Sequence, residues 1–254
     1  MVTDMRATAT RSPSTSRFSR SGRDLAVGAL LVVVVAAASC LFLGLSTSHI
    51  AHAAVLYALM ALLLLRQMPT TQPGPGIGVA NRVTLARATL VLPVAVLTLQ
   101  PGALALERAY WWIIVLGAVS MVLDRTDGRV ARRTGTTSAF GARFDMELDA
   151  FLLLALSVLV WQSGKVGAWV TLIGALRYLF VVGGLFWSVL TGELPSSERR
   201  KIFCAVEGVA LLVCLGPIVP ATLAGMVAAG ALAALVYSFA ADVRWLASHP
   251  DTVR

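Results

Sequence analysis

Charged side chains are scarce in this chain. Asp, Glu, Lys and Arg make up only 13% of its 254 residues, whereas hydrophobic residues make up 57%. A soluble domain needs more polar side chains than this to cover its surface. The composition therefore excludes a soluble enzyme and indicates a protein embedded in lipid.

Cysteine and histidine are also sparse, with three residues of each. Cys40, Cys204 and Cys214 lie in apolar runs without CxxC spacing, which indicates neither a disulfide framework nor a zinc site. His49 and His52 fall near the end of the first predicted hairpin and are expected at the surface. The basic residues that produce the net charge of +8 stand at the ends of apolar runs, as membrane topology requires, so nucleic acid is not an expected partner.

Repeated apolar runs predict an all-α polytopic membrane bundle of about eight transmembrane helices. The predicted spans are 25–46, 50–66, 84–105, 109–130, 140–162, 166–191, 202–217 and 220–245. They divide the chain into a disordered basic cytoplasmic tail (1–24), an N-terminal transmembrane hairpin (25–67), a Pro/Gly-rich linker (68–80), a six-helix catalytic core (81–246) and a C-terminal tail (247–254).

The distribution of Lys and Arg predicts the orientation. With the N-terminus in the cytoplasm, eighteen of the 21 basic residues lie on the inner side and only Arg108 and Lys165 lie in outer loops. Such an asymmetry is typical of multi-pass membrane proteins. We therefore expect an integral protein of a bacterial plasma membrane, with both termini and the active site facing the cytoplasm.

Acidic residues concentrate between positions 123 and 151. Asp124 and Asp127 share one face of a predicted helix, and Asp145 and Asp149 share a face of the next helix. A short polar turn joins the two helices, so they should pack as an antiparallel hairpin with four carboxylates close together. Four ionised carboxylates at membrane depth imply a bound cation, and all-oxygen ligation without His or Cys suits Mg or Mn.

Small and basic residues accompany these carboxylates at fixed spacing. The stretch resembles the signature of the CDP-alcohol phosphotransferase (CDP-alcohol phosphatidyltransferase) family, D-x2-D-G-x2-A-R-x8-G-x3-D-x3-D. The matching residues are Asp124, Asp127, Gly128, Ala131, Arg132, Gly141, Asp145 and Asp149. The layout from about 80 to 245 also resembles the six-helix core of that family.

The resemblance implies a phospholipid-synthesising transferase that moves the phosphatidyl group of CDP-diacylglycerol to the hydroxyl of a polar alcohol and releases CMP. By similarity, Asp149 is the general base on that hydroxyl. The metal ligands implied are Asp124, Asp127, Asp145 and Asp149. The CDP-binding residues implied are Gly128, Ala131, Arg132, Gly141, Asn81 and Thr84.

Asn81 and Thr84 enter this set because they begin a segment that, with Arg87, resembles the N-x2-T-x2-R opening of several family members. The proline that often precedes the threonine is Val83 here. The alternative interpretation of the segment is a helix N-cap followed by an arginine that fixes topology.

Four basic residues are candidates for binding the acceptor. Arg177 lies within a predicted span, where a charge needs a partner such as Glu207 or a bound phosphate. Arg199, Arg200 and Lys201 resemble in position a basic stretch of members that use phosphorylated acceptors, although the positive-inside pattern explains them equally well. Together they motivate an anionic acceptor, such as glycerol phosphate or inositol phosphate.

Other interpretations stay open at this point. Within the family, a CDP-linked head group could instead be passed to diacylglycerol. From a different class, an ion-coupled transporter also places carboxylates and a basic residue in the membrane, and a third alternative is a homologue without catalytic activity. The sequence also leaves open a homodimer and the role of the first two helices.

Overall fold

The computed structural model describes residues 13–67, 77–100, 102–134, 138–187 and 198–248. Within these ranges the regular structure is helical, without strands, which confirms the predicted all-α class. The long helices are α1 (Pro13–Leu43), α2 (Ser48–Gln67), α3 (Val79–Val96), α4 (Glu107–Thr134), α5 (Ala139–Gln162), α6 (Thr171–Phe186), α7 (Glu198–Leu215) and α8 (Ala221–Ser248). Short 3-10 turns occupy Leu97–Leu99, Ala103–Ala105 and Ala168–Val170.

Five segments of the described chain are long and apolar enough to cross a bilayer. They are Ser21–Leu43, Ser48–Gln67, Asn81–Leu99, Ala168–Phe186 and Ala221–Ser248. α5 is not among them, because any part of it long enough to cross a bilayer contains the three charged residues Asp145, Glu147 and Asp149. The chain is therefore an integral membrane protein, and the number of eight crossings stays a prediction.

The first helix extends further than predicted. α1 begins at Pro13, whereas a disordered tail was expected up to residue 24, so this expectation is wrong for residues 13–24. Proline suits the first turn of a helix because its missing N–H would have no partner there, and no strong helix breaker separates it from the apolar run. Residues 1–12 lie outside the described part of the chain.

Several other predicted boundaries differ by a few residues. α3 begins at Val79 and its α-helical part ends at Val96, ahead of the turn at Gly102, whose φ of 76° favours glycine. α6 begins at Thr171 after a 3-10 turn and ends at Phe186, inside the predicted span 166–191. Such shifts arise where hydrophobic runs continue through turns, because apolar composition alone does not mark a helix end.

α3 occupies the centre of the bundle. It packs against α1, α2, α4 and α5, and 67% of its apolar stretch is buried, compared with at most 28% in the other four membrane-capable segments. A helix that is apolar all round is suited to such a position. The start of α3 consequently lies beside the end of α4 and the start of α5, where the acidic residues are.

The N-terminal hairpin packs on one side of α3. Tyr57 of α2 is 4% exposed and its hydroxyl donates a hydrogen bond to the Leu25 carbonyl of α1 over 2.6 Å. His49 is fully buried, which corrects the expected surface position. The reason is its register, because His49, Ala53 and Tyr57 lie one turn apart on the buried face of α2.

Small residues allow close contacts among α4 to α7. A Cβ on Gly174 of α6 would meet backbone atoms of Leu154 in α5, so these two helices approach closely. Gly208 of α7 similarly faces the Met121 side chain of α4. Small residues in such positions are typical of helix interfaces in membranes, where dispersion forces rather than water exclusion drive packing.

Candidate metal and substrate site

Three carboxylates converge at one end of the bundle. Asp124 lies in the second half of α4, and Asp145 and Asp149 lie on successive turns of α5. One oxygen of each lies within 4.8 Å of the others. Their side chains are 34%, 34% and 25% exposed, respectively, so a solute can reach them. The sequence predicted four converging carboxylates, and these three converge, while the side chain of the fourth, Asp127, lies outside the described part of the structure.

The guanidinium group of Arg87, in α3, lies among these carboxylates. Its Nη1 contacts Asp145 and lies 2.8 Å from Asp124 Oδ1, while its Nη2 contacts Asp149. Its Nε donates a hydrogen bond to the Ser120 carbonyl over 3.1 Å. The Arg87 side chain is only 1% exposed, and a buried guanidinium is tolerated when its donors are matched by acceptors in this way.

The contact between Arg87 and the carboxylates was not predicted. The cost of several carboxylates in the membrane suggested a bound cation, whereas the protein itself supplies part of the compensating charge. Among the described side chains, one guanidinium faces three carboxylates. The signal in the sequence was the need for compensating positive charge together with an arginine three residues after Thr84, on a helix expected beside the motif.

The carboxylate oxygens of this cluster and their negative charge fit a divalent cation. Asp124, Asp145 and Asp149 offer only oxygen atoms within a small, partly accessible space. Carboxylate oxygens are the ligands that Mg and Mn prefer. Among the described side chains the acidic groups outnumber Arg87 by three to one, so Arg87 and a metal can act together in balancing the cluster.

Asn81 and Thr84 lie on the buried side of α3 at the same end of the bundle, 4% and 3% exposed. A Cβ on Gly141 of α5 would overlap the side-chain oxygen of Asn81, so Gly141 permits this close contact between α3 and α5. Gly141 also donates its N–H to the Ser138 hydroxyl over 3.0 Å at the start of α5. The N-cap of α3 is Gly78, which excludes the alternative that Asn81 or Thr84 caps this helix.

For six predicted site residues the structure describes the position of the backbone only. Their side chains lie outside the described part of the structure. Asp127, Gly128, Ala131 and Arg132 belong to α4, which continues without a break to Thr134, and Arg199 and Lys201 belong to the first turn of α7. Their roles stay predictions.

Arg177 does not pair with Glu207, which corrects one of the two partners expected from the sequence. Its Nη2 contacts Glu147 of α5 instead, because α6 packs along α5 through Gly174. Glu147 is two residues from both Asp145 and Asp149, which places the pair on the other side of α5 from the carboxylate cluster.

Two further polar side chains of α7 lie near this end of the bundle. Arg200 Nη1 lies 3.6 Å from Asp242 Oδ1 of α8, so this predicted acceptor residue is tied to α8. Glu207 is fully buried, and neither of its carboxylate oxygens has a hydrogen-bond partner in the described structure. The observed contacts therefore leave the acceptor-binding roles of Arg177 and Arg200 as predictions.

The family of the chain follows from comparison with known proteins. The model of the CDP-alcohol phosphatidyltransferase family matches residues 77–239, which include α3 to α7 and most of α8. The chain belongs to this family. The match includes all residues of the acidic signature and begins immediately before α3.

Individual relatives are similar over shorter segments. Two proteins named probable phosphatidylglycerophosphate synthase, from two strains of Mycobacterium tuberculosis, are each 31% identical over 134 residues. The alignment covers 52% of this chain and 63% of each relative, so the chain spans less than two thirds of their length. A CDP-diacylglycerol–serine O-phosphatidyltransferase of Helicobacter pylori is 37% identical over 79 residues, 29% of this chain and 30% of the relative. No solved structure matches the chain.

Replacing Arg87 tests whether the carboxylate cluster depends on it. We expect Arg87→Ala to destabilise the protein by about 3–5 kcal/mol, because it leaves three carboxylates facing one another without their buried partner. Thermal unfolding in detergent measures this change, with Arg66→Ala, an exposed arginine of α2, as the control. An equal midpoint for Arg87→Ala and Arg66→Ala would contradict the proposed role.

Proposed function

We propose that this protein transfers the phosphatidyl group of CDP-diacylglycerol to the hydroxyl of a polar alcohol, with release of CMP. The observation that carries the proposal is the convergence of Asp124, Asp145 and Asp149 around Arg87. Membership of the CDP-alcohol phosphatidyltransferase family and the names of the relatives support this reaction.

Asp149 is the proposed general base. Its contact with Arg87 uses Oδ1, which leaves Oδ2 to accept the proton of the acceptor hydroxyl as the hydroxyl oxygen attacks phosphorus. The bond from phosphorus to the CMP oxygen breaks in the same displacement. Arg87 holds Asp145 and Asp149 by charge-assisted contacts, so the base is fixed before the substrate arrives.

Asp124, Asp127, Asp145 and Asp149 are the proposed ligands of Mg or Mn. A divalent cation bound there would neutralise charge on the diphosphate and on departing CMP. Gly128, Ala131, Arg132 and Gly141, with Asn81 and Thr84, are proposed to line the CDP pocket. The position of Asn81 against Gly141 supports a pocket floor formed jointly by α3 and α5.

We also propose that the site and both termini face the bacterial cytoplasm. The basic residues support this orientation, because Arg108 and Lys165 lie at the end of the bundle opposite the carboxylates. Lys165 donates a hydrogen bond to the Gly216 carbonyl in the turn between α7 and α8, which fixes it at that end.

The acceptor is proposed to be anionic. The two types of named relative use different alcohols by name, glycerophosphate and serine, so family membership does not choose between them. Arg177, Arg199, Arg200 and Lys201 favour a phosphorylated acceptor, because guanidinium and ammonium groups bind phosphate oxygens well.

Turnover tests the reaction directly. Purified protein with CDP-diacylglycerol, Mg and a panel of alcohols should release CMP with one acceptor, and Asp149→Asn should lower kcat at least about 100-fold because the base is lost. Glu107→Gln, at the opposite end of the bundle, should leave kcat unchanged. Transfer from a CDP-linked head group to diacylglycerol, or cation transport without CMP release, would contradict the proposal.

Metal binding can be measured without turnover. We expect Mn to bind the protein in the absence of substrate, and electron paramagnetic resonance should follow this binding until the site is saturated. Asp145→Asn should weaken this binding at least about tenfold because it removes a ligand charge, whereas Glu107→Gln should not. Equal binding by the two variants would place the metal elsewhere.

The anionic acceptor predicts a selective effect at Arg177. Because Arg177 contacts Glu147 on the other side of α5, acceptor binding requires this contact to be exchanged for one with the acceptor phosphate. Arg177→Ala should then raise KM for glycerol 3-phosphate by about 10-fold or more, because the charge-assisted contact is lost, with a smaller rise for Arg177→Lys. KM for CDP-diacylglycerol should stay constant, and Arg66→Ala serves as the control. Unchanged acceptor affinity in Arg177→Ala would remove Arg177 from the acceptor site.

A further inference from the structure

The start of α3 lacks a cap from its own sequence. The N-cap residue is Gly78, whose φ of 91° favours glycine. Because glycine has no side chain, this residue cannot accept a hydrogen bond from the first turn of the helix through a side-chain atom. The first N–H groups of a helix need acceptors from elsewhere. Beside this helix start, a carboxylate of α1, which precedes the family match, binds the peptide group just before the N-cap.

Asp24 of α1 binds the beginning of α3 at two points. Its Oδ2 accepts a hydrogen bond from the backbone N–H of Ile77 over 3.3 Å and another from Arg82 Nε over 3.1 Å. A carboxylate near a helix N-terminus is also favoured by the helix dipole. Asp24 therefore anchors the peptide group just before the N-cap and the Arg82 side chain in the first turn of α3.

Ile77 connects Asp24 to the candidate site. Its carbonyl accepts a hydrogen bond from Asn81 Nδ2 over 2.6 Å, so its peptide groups are held from both sides. The side-chain oxygen of the same Asn81 lies against Gly141 of the signature. Contacts thus run without interruption from Asp24 through Ile77 and Asn81 to α5.

The contact with the Ile77 N–H is the more consequential of the two. The side chain of Arg82 is 44% exposed, and ion pairs at such positions contribute little because water screens them. Ile77 is only 5% exposed, so water replaces a lost acceptor poorly there.

We infer that Asp24 is a positioning residue for CDP binding, acting through Ile77 on the amide group of Asn81. The inference rests on the proposed function, in which Asn81 contributes to the CDP pocket. It gives the N-terminal hairpin a part in the reaction, although the hairpin lies outside the family match at 77–239.

Steady-state kinetics of the full-length protein test the inference. Asp24→Ala should raise KM for CDP-diacylglycerol about 3- to 10-fold, the effect of one lost hydrogen bond, with kcat nearly constant because Asp149 is untouched. Asp24→Asn retains an acceptor for the Ile77 N–H and should show a smaller rise. Arg82→Ala should stay close to the wild type, as should Arg23→Ala, a neighbouring exposed arginine.

A double-mutant cycle separates positioning from a general loss of stability. If Asp24 acts through Asn81, the Asp24→Ala and Asn81→Ala double variant should have the KM of Asn81→Ala alone. Tyr57→Phe is the matched structural control, because it removes a different contact of the hairpin and should lower the thermal midpoint without raising KM. Additive effects of Asp24→Ala and Asn81→Ala, or an equal KM rise in Tyr57→Phe, would overturn the inference.

The wild-type measurement distinguishes the two proposals. Absence of CMP release by the wild type with every acceptor would overturn the proposed function. CMP release by the wild type, together with an unchanged KM in Asp24→Ala, would overturn only the positioning role of Asp24.

Discussion

The buried guanidinium of Arg87 is the interaction on which the site depends. Three carboxylates within 4.8 Å of one another repel strongly in a low-dielectric environment, and an arginine among them makes the arrangement tolerable. Because Arg87 comes from α3, Asp124 from α4 and the other two from α5, the same contacts that balance charge also hold three helices together. The contacts that hold the helices together therefore involve the same atoms as the proposed site.

Glycine and other small residues determine how closely this cluster can be assembled. Gly141 allows α5 to approach Asn81 of α3, and Gly174 allows α6 to approach Leu154 of α5. The carboxylates of the signature could not converge on one ion unless the helix backbones came this close. Gly141, a fixed small position of the family signature, thus has a packing role apart from any contact with substrate.

The sequence was sufficient for the helical class and for the convergence of Asp124, Asp145 and Asp149, because helical periodicity and the short turn between α4 and α5 are local properties. It was insufficient for Arg87, whose partners lie up to 62 residues away in the chain. The partner of Arg177 was predicted wrongly for the same reason, since nothing local indicates that α6 packs on α5. Helix ends such as Pro13 were misjudged because composition changes gradually where a membrane helix extends into polar surroundings.

The central position of α3 has a consequence for how the protein enters the membrane. Arg87 stands within a segment apolar enough to partition into lipid, yet a lone arginine there would face hydrocarbon without an acceptor. Its three acidic partners are synthesised later, as α4 and α5. Until α4 and α5 are made, the guanidinium of Arg87 has to reach polar groups at the membrane interface, which its place in the first half of this segment allows, so the burial of Arg87 depends on the arrival of these two helices.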